Sequence, residues 1–304
     1  MGQSSRASAD SSTAVGAVAF ASGADSSAYG SHSGAAGTDS SAYGNRSIAN
    51  ASNSSAYGNG SIANAADSTA VGSKARANGI TSAALGSEAT AGGDNSMALG
   101  NKSSTTKSKA MAFGDSSSST ANVSLAVGPS TQAAGDAAIA IGFEAQALNF
   151  QALAIGRGAK ANANGALAIG VNAQAGPNGV GIALGPNTIA TNSVAVGVAA
   201  MASNGGAAYG DGASATGSLA TALGPNASTT AANAVAIGSG SVANEDNSVS
   251  MGAPGNERRI TNVAAGTAPS DAATVGQVTS LQAQIEDLRR ECGLPARVAR
   301  ANGE

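Results

Sequence analysis

The stretch Ala166-Leu167-Ala168-Ile169-Gly170 reads small, variable, Ala, bulky, Gly, and this pattern returns 18 times in a chain of 304 residues. With its glycine as position zero, the copies end at Gly16, Gly30, Gly44, Gly58, Gly72, Gly86, Gly100, Gly114, Gly128, Gly142, Gly156, Gly170, Gly185, Gly197, Gly210, Gly224, Gly238 and Gly252. From Gly16 to Gly170 every step is 14 residues, the next three are 15, 12 and 13, and the last three are again 14. A period this short, with Gly and Asn in the connections, predicts one coil of a β-solenoid per copy, because helical repeats need about 30 to 45 residues.

The columns of the repeat assign faces. Position minus two is Ala in 17 copies, with Ser250 the exception, and position minus four is always Ser, Ala or Gly. Side chains alternate along a strand, so these two columns share one side, and that side has room for little more than a methyl group. After the glycine, plus three and plus five are again Ala, Ser or Thr, while plus four varies freely through Phe20, Ile48, Arg76, Gln146, Lys160 and Val242. Two strands back to back, with the small residues inside a thin roll, satisfy both patterns. Turns fall at plus one and plus two and at plus six to plus nine, where Asn45-Arg46, Asn59-Gly60 and Asn164-Gly165 suit them.

Position minus one is always bulky: Val15, Tyr29, Tyr43, Tyr57, Val71, Leu85, Leu99, Phe113, Val127, Ile141, Ile155, Ile169, Leu184, Val196, Tyr209, Leu223, Ile237 and Met251. With position minus three it forms an outward apolar stripe. Coils stacked about 4.8 Å apart make it roughly 80 Å long, and a water-exposed stripe of that extent predicts self-association. The two columns compensate in volume. Tyr29, Tyr43 and Tyr57 follow Ser27, Ser41 and Ser55, as expected where both columns fill one shared core at fixed density.

Composition narrows the function classes. The chain has 42 glycines, 11% charged residues, 3% aromatic residues and no Trp, with a formal net charge of -3. No basic stripe with interleaved aromatics points to nucleic acid. No run of about 18 apolar residues spans a bilayer, and Met1-Gly2-Gln3-Ser4 lacks the basic and apolar regions of a signal peptide. The chain then reads as a non-exported protein or as a piece of a longer exported one. Cys292 and His32, one of each in the chain, give no nucleophile-base pair, no internal disulfide and no cysteine-rich metal site, so neither an enzyme nor a cofactor is expected. Gly92-Gly93-Asp94 resembles a fragment of a calcium-binding nonapeptide repeat, but that mechanism needs tandem copies, and a turn is the simpler reading.

After Gly252 the repeat stops. Asn256-Glu257-Arg258-Arg259-Ile260-Thr261-Asn262-Val263-Ala264-Ala265-Gly266 leads to Asp271-Ala272-Ala273-Thr274-Val275-Gly276-Gln277. Then Val278, Leu281, Ile285, Leu288 and Cys292 fall at spacings of 3, 4, 3 and 4, the seam of a coiled coil in which Cys292 is a small core residue. Gly293 and Pro295 end that pattern.

Coils of this type, followed in this order by the 257–266 segment, an Asp-Ala…Val…Gln segment and a heptad stalk, resemble the YadA-like head, neck and stalk of the trimeric autotransporter adhesins of Gram-negative bacteria. The resemblance spans about residues 10 to 292. It implies an all-β, left-handed parallel β-roll of 14-residue coils in a homotrimer, a neck, and a short α-helical coiled coil. The expected divisions are an N-terminal cap or flexible segment at 1–10, a head at 11–252, a neck at 253–277, the start of the stalk at 278–292 and a tail at 293–304.

By the same analogy the bulky column from Val15 to Met251 becomes the trimer interface, and Arg258, Arg259, Ile260, Asn262, Val263, Asp271 and Val275 make the neck contacts. Val278, Leu281, Ile285 and Leu288 form the coiled-coil core, with Val278 standing where a Leu commonly closes the neck. The family implies a head held at the bacterial surface that binds host cells or matrix proteins, the membrane being reached only through an anchor outside this chain.

For the ligand face, Lys74, Arg76, Lys102, Lys107 and Lys109 form a candidate basic surface for sulfated glycans or acidic partners, repeated three times in a trimer. Exposed plus-four residues such as Phe20, Ile48, Ile62, Ile189, Met201 and Val242, and the broken register between Gly170 and Gly210, are further candidates. A structural fibre that uses the solenoid as a spacer is the alternative reading. An ice-binding solenoid would need flat ranks of Thr, which the plus-four column lacks.

Overall fold

Leu167–Ile169 and Gln174–Ala175 are two short strands separated by the turn at Gly170, and they set the pattern for the solenoid. The structure, a computed structural model, describes residues 2–176 and 179–293. Chain contacts divide it into two units, Met1–Asn256 and Glu257–Glu304.

In the first unit the strands build two parallel sheets of 18 strands each. Leu167–Ile169 lies between Leu153–Ile155 and Ile182–Leu184, each residue opposite its equivalent one coil away. Gln174–Ala175 lies in the same way between Lys160–Ala161 and Ile189–Ala190. The three-residue ladder runs from Thr13–Val15 to Val249–Ser250, with the whole stack between these end strands, so it stays open. The two-residue ladder begins earlier, at Arg6–Ala7 paired with Phe20–Ala21. Gly2 therefore serves as a further position zero, and the first ten residues carry a strand of the roll.

The turns explain why so many residue types appear between strands. Each regular coil places one residue of each turn in the left-handed region, as Asn172 (φ 55°) and Gly165 (φ 65°) do in the coils around Gly170. Ala173 N–H donates to the Gly170 carbonyl at 3.2 Å, and Ala166 N–H to the Ala163 carbonyl at 3.1 Å, closing the two turns. Asn and Asp tolerate this conformation and recur there. They also bond from coil to coil: Asn50 Nδ2 donates to Asn64 Oδ1 at 2.8 Å, Asn64 Nδ2 to Asn78 Oδ1 at 2.8 Å, and Asn53 Nδ2 to Asp67 Oδ1 at 3.0 Å.

The interior is one methyl group deep from each side. Ala168 at minus two, Ala166 at minus four, and Ala173 and Ala175 at plus three and plus five are all buried, as are their equivalents in nearly every coil. The largest side chains that become fully buried are threonines. Two alanine clusters, Ala14 to Ala98 and Ala126 to Ala243, are separated by coils in which hydroxyls replace methyls. There Thr105 Oγ1 bonds to Ser96 Oγ at 3.0 Å, Ser119 Oγ meets Ser124 Oγ at 2.6 Å, and Ser117 donates to the Gly114 carbonyl at 2.9 Å. These pairings satisfy the hydroxyls that they join, as buried polar groups usually are.

In the second unit a helix, Val275–Glu291, is capped by Thr274 in a reciprocal box with Gln277. Arg289 and Arg290 fall in its last turn, where positive charge complements the helix dipole. The expected 293–304 tail lies, apart from Gly293, outside the described residues, as do Pro177 and Asn178 of the 15-residue coil.

Candidate interaction surfaces

The three-residue ladder turns its bulky column outward. Ile141, Ile155 and Ile169 stack in register, and so do Met97, Met111 and Leu125 in the neighbouring column. Tyr29 and Tyr43 stack at 4.8 Å between ring centroids and 8° between planes, and Tyr43 and Tyr57 at 5.3 Å and 15°. In the single chain these side chains are partly or fully open to solvent, with Leu99 at 45% and Leu223 at 48%. Such a ladder is large, flat and apolar, and its chemistry is that of an assembly surface.

The five basic candidates separate into three places. Lys74 and Lys102 sit in left-handed positions of the first turn (φ 57° and 55°), Arg76 lies on the two-residue ladder, and Lys107 and Lys109 occupy the second turn at the opposite edge. Lys74 also approaches Glu88 at 3.7 Å across one coil, an exposed pair that contributes little to stability. One chain therefore presents no single basic patch. Plus four is mixed as expected: Ile48 and Ile62 are half-buried, while Phe20 and Met201 are exposed.

Among the described residues no group of three or more His, Cys, Asp or Glu side chains comes together, and no helix is long and apolar enough to cross a membrane. His32 is exposed, with its Nδ1 2.9 Å from Ser31 Oγ.

The 257–277 segment is held by two side chains. Gln277 brackets Gly266, accepting from its N–H at 2.9 Å and donating Nε2 to its carbonyl at 2.8 Å. Asp271 Oδ2 accepts from the N–H groups of Thr267 and Ala268, both at 2.9 Å, so this residue, expected in an inter-chain contact, is engaged within its own chain. The Ala268 and then the Thr267 amide hold its carboxyl below the usual value, because they bond to the ionised form. Arg258, Arg259, Ile260, Asn262 and Val263 are exposed, and Val275 is 83% exposed. The helix buries no residue, and Val278, Leu281, Ile285 and Leu288 all stand open along one seam.

The columns chosen from the sequence overlooked exposed apolar side chains in the turns, among them Phe143, Phe150, Val171, Val198 and Leu219. Reading plus one, plus eight and plus nine as columns finds them.

The chain is thus a β-solenoid with an outward apolar ladder, followed along the sequence by a capped helix with an uncovered heptad seam. The family model of the YadA head domain repeat matches residues 1–19, 7–33, 63–89, 77–103, 91–117, 124–145, 147–173, 215–241 and 230–253. That described as the coiled stalk of trimeric autotransporter adhesin matches residues 259–289. Together they cover more than half of the chain, which belongs to the YadA-type trimeric autotransporter adhesins. Among solved structures, the crystal structure of the collagen-binding domain of the Yersinia adhesin YadA is 26% identical, covering 63% of this chain and 84% of that one, at a TM-score of 0.32. Comparison with curated proteins gives no match.

Proposed function

We propose that this chain is the head, neck and first stalk turns of a homotrimeric adhesin that attaches bacteria to host cells or extracellular matrix without catalysis. The observation that carries the reading is the double exposure: the minus-one ladder and the helix seam are both apolar, periodic and uncovered in one chain. In this reading Val15 to Met251 meet two neighbouring chains, Arg258 to Val263 and Val275 bind the neck across chains, and Val278, Leu281, Ile285 and Leu288 zip the stalk. The assembly, in this reading, is held at the bacterial outer membrane. Recognition falls to the two-residue ladder and the turns, where each contact is offered three times, so weak single contacts add through multivalency.

Light scattering of the purified chain tests assembly, and a monomer that persists at micromolar concentration contradicts it. Adhesion is tested by binding the trimer to immobilised matrix proteins and to cells at two salt concentrations. Collagen is one of the matrix proteins used as probes. A trimer that binds none of these while a longer form of the protein does would assign the head the role of a spacer.

A further inference from the structure

We infer that the chains of the trimer also meet edge to edge, and that this closure is built into the coils of Gly142 and Gly170. The inference rests on the trimer proposed above. It is motivated by the first-turn and second-turn edges of the roll, which are both apolar at these two levels. In the coils of Gly30 to Gly72 the plus-one column of the first turn is Ser31, Asn45, Asn59 and Ser73, and the second turn facing the other way carries one large apolar side chain, Ile80, with Val123 following in the coil of Gly114. In the coils of Gly142 and Gly170 the first-turn edge carries Phe143 and Val171, exposed by 45 and 39%, with Arg157 between them. The second-turn edge carries Leu148 and Phe150 in the first of these coils and Val180 in the second, exposed by 38, 52 and 55%, whereas further down Val198 stands level with Asn204 and Leu219 with Asp211.

Symmetry pairs these edges. Three rolls that turn the same sheet toward a common axis form a triangle, and at each corner the first-turn edge of one chain faces the second-turn edge of the next. Rotation about an axis along the stack keeps height. Phe143 of one chain thus stands level with Leu148 and Phe150 of its neighbour, since all three belong to the coil between Gly142 and Gly156. A contact of this head-to-tail kind closes into a ring after three steps. The occupant of each apolar edge is therefore a second copy of this chain, joined to the interface that the bulky column already makes. A matrix ligand on the same residues is the competing outcome.

The experiment uses the full chain with Cys292→Ser, which removes its one exposed thiol, and adds Phe143→Cys with Phe150→Cys. Within one chain the strand Gln146–Ala147 separates the two positions, which puts an internal disulfide out of reach. Mild oxidation is expected to convert the protein to a covalent trimer on a denaturing, non-reducing gel. The pair Asn45→Cys with Ser52→Cys, on the polar edges, is expected to stay uncoupled. A chain that scatters light as a trimer but does not couple through the lower pair overturns the edge contact and leaves the trimer standing. Equal coupling of both pairs overturns its confinement to these coils. A protein that is monomeric before oxidation removes the trimer itself. Phe143→Ser supplies the last readout: loss of matrix binding by an intact trimer assigns the edge to a ligand instead.

Discussion

A β-carbon placed on Gly170 would lie 2.4 Å from the carbonyl oxygen of Gly185, the equivalent residue one coil later. The same glycine has φ 136°, a backbone conformation that residues with a β-carbon rarely adopt. Position zero is thus fixed twice, by its own dihedral and by the close approach of the next coil. Gly170→Ala is expected to destabilise the head by about 3 kcal/mol. Gly165 is also left-handed (φ 65°), yet a β-carbon there meets nothing within 4 Å. Gly165→Ala then carries only the left-handed cost of about 1 kcal/mol, and urea melts of the two variants should separate clearly.

Opposite signs are expected within the minus-four column. Ser54 Oγ donates to the Ala51 carbonyl at 2.6 Å and accepts from its N–H at 3.2 Å, whereas the buried hydroxyl of Ser40 has no partner. Ser54→Ala should lose about 1 kcal/mol, and Ser40→Ala should gain about as much by removing an unsatisfied group. Equal shifts in thermal unfolding would refute the difference in partners.

The bulky column offers a test of assembly. Ile155→Asp sets one carboxylate per chain into the proposed inter-chain core with no partner on the ladder, where unpaired charge is costly. Sedimentation should shift from trimer to monomer while the far-ultraviolet spectrum of the roll persists, because Ile155 lies outside the alanine interior. A trimer of unchanged stability would place the interface elsewhere.

Acid should loosen the segment before the helix. Asp271 has its carboxyl pKa lowered in the folded chain, so the stabilisation it gives is complete above the unfolded value, near 3.8, and fades as pH falls through the lower folded value. Amide exchange at Thr267 and Ala268 should rise in that window. Asp271→Asn should abolish the pH dependence, and the idea fails if exchange at these amides keeps the same acid profile.

Gln277→Ala removes the bracket on Gly266 and the reciprocal half of the helix cap. A loss of about 1 kcal/mol is expected at the helix start, read as earlier melting of the helical signal. The head's own transition should stay in place.

Much of this was legible before any coordinates. Ala168 and Ile169 point to opposite sides because neighbouring strand residues must, and a 14-residue period puts each column in register with itself, so the thin interior and the outward ladder follow from local geometry. Gly2 escaped because only Met1-Gly2 of the pentapeptide stands in the sequence, without the Ala at minus two and the small residue at minus four that mark the other copies. The spread of the candidate basic residues was not legible in the same way: Lys102 and Lys107 are close along the chain but fall in different turns, at opposite edges of the roll.

The sequence by itself determined the repeat, the two faces of each strand and the heptad seam, because each depends on a period carried by consecutive residues. Only the tertiary structure decided which turns share an edge, that Asp271 spends its carboxylate on Thr267 and Ala268, that Gln277 clasps Gly266, and that Phe143 and Phe150 stand at one level on opposite edges. Those relations depend on how the chain closes a coil and stacks it on the next, which no residue pattern within one strand can specify.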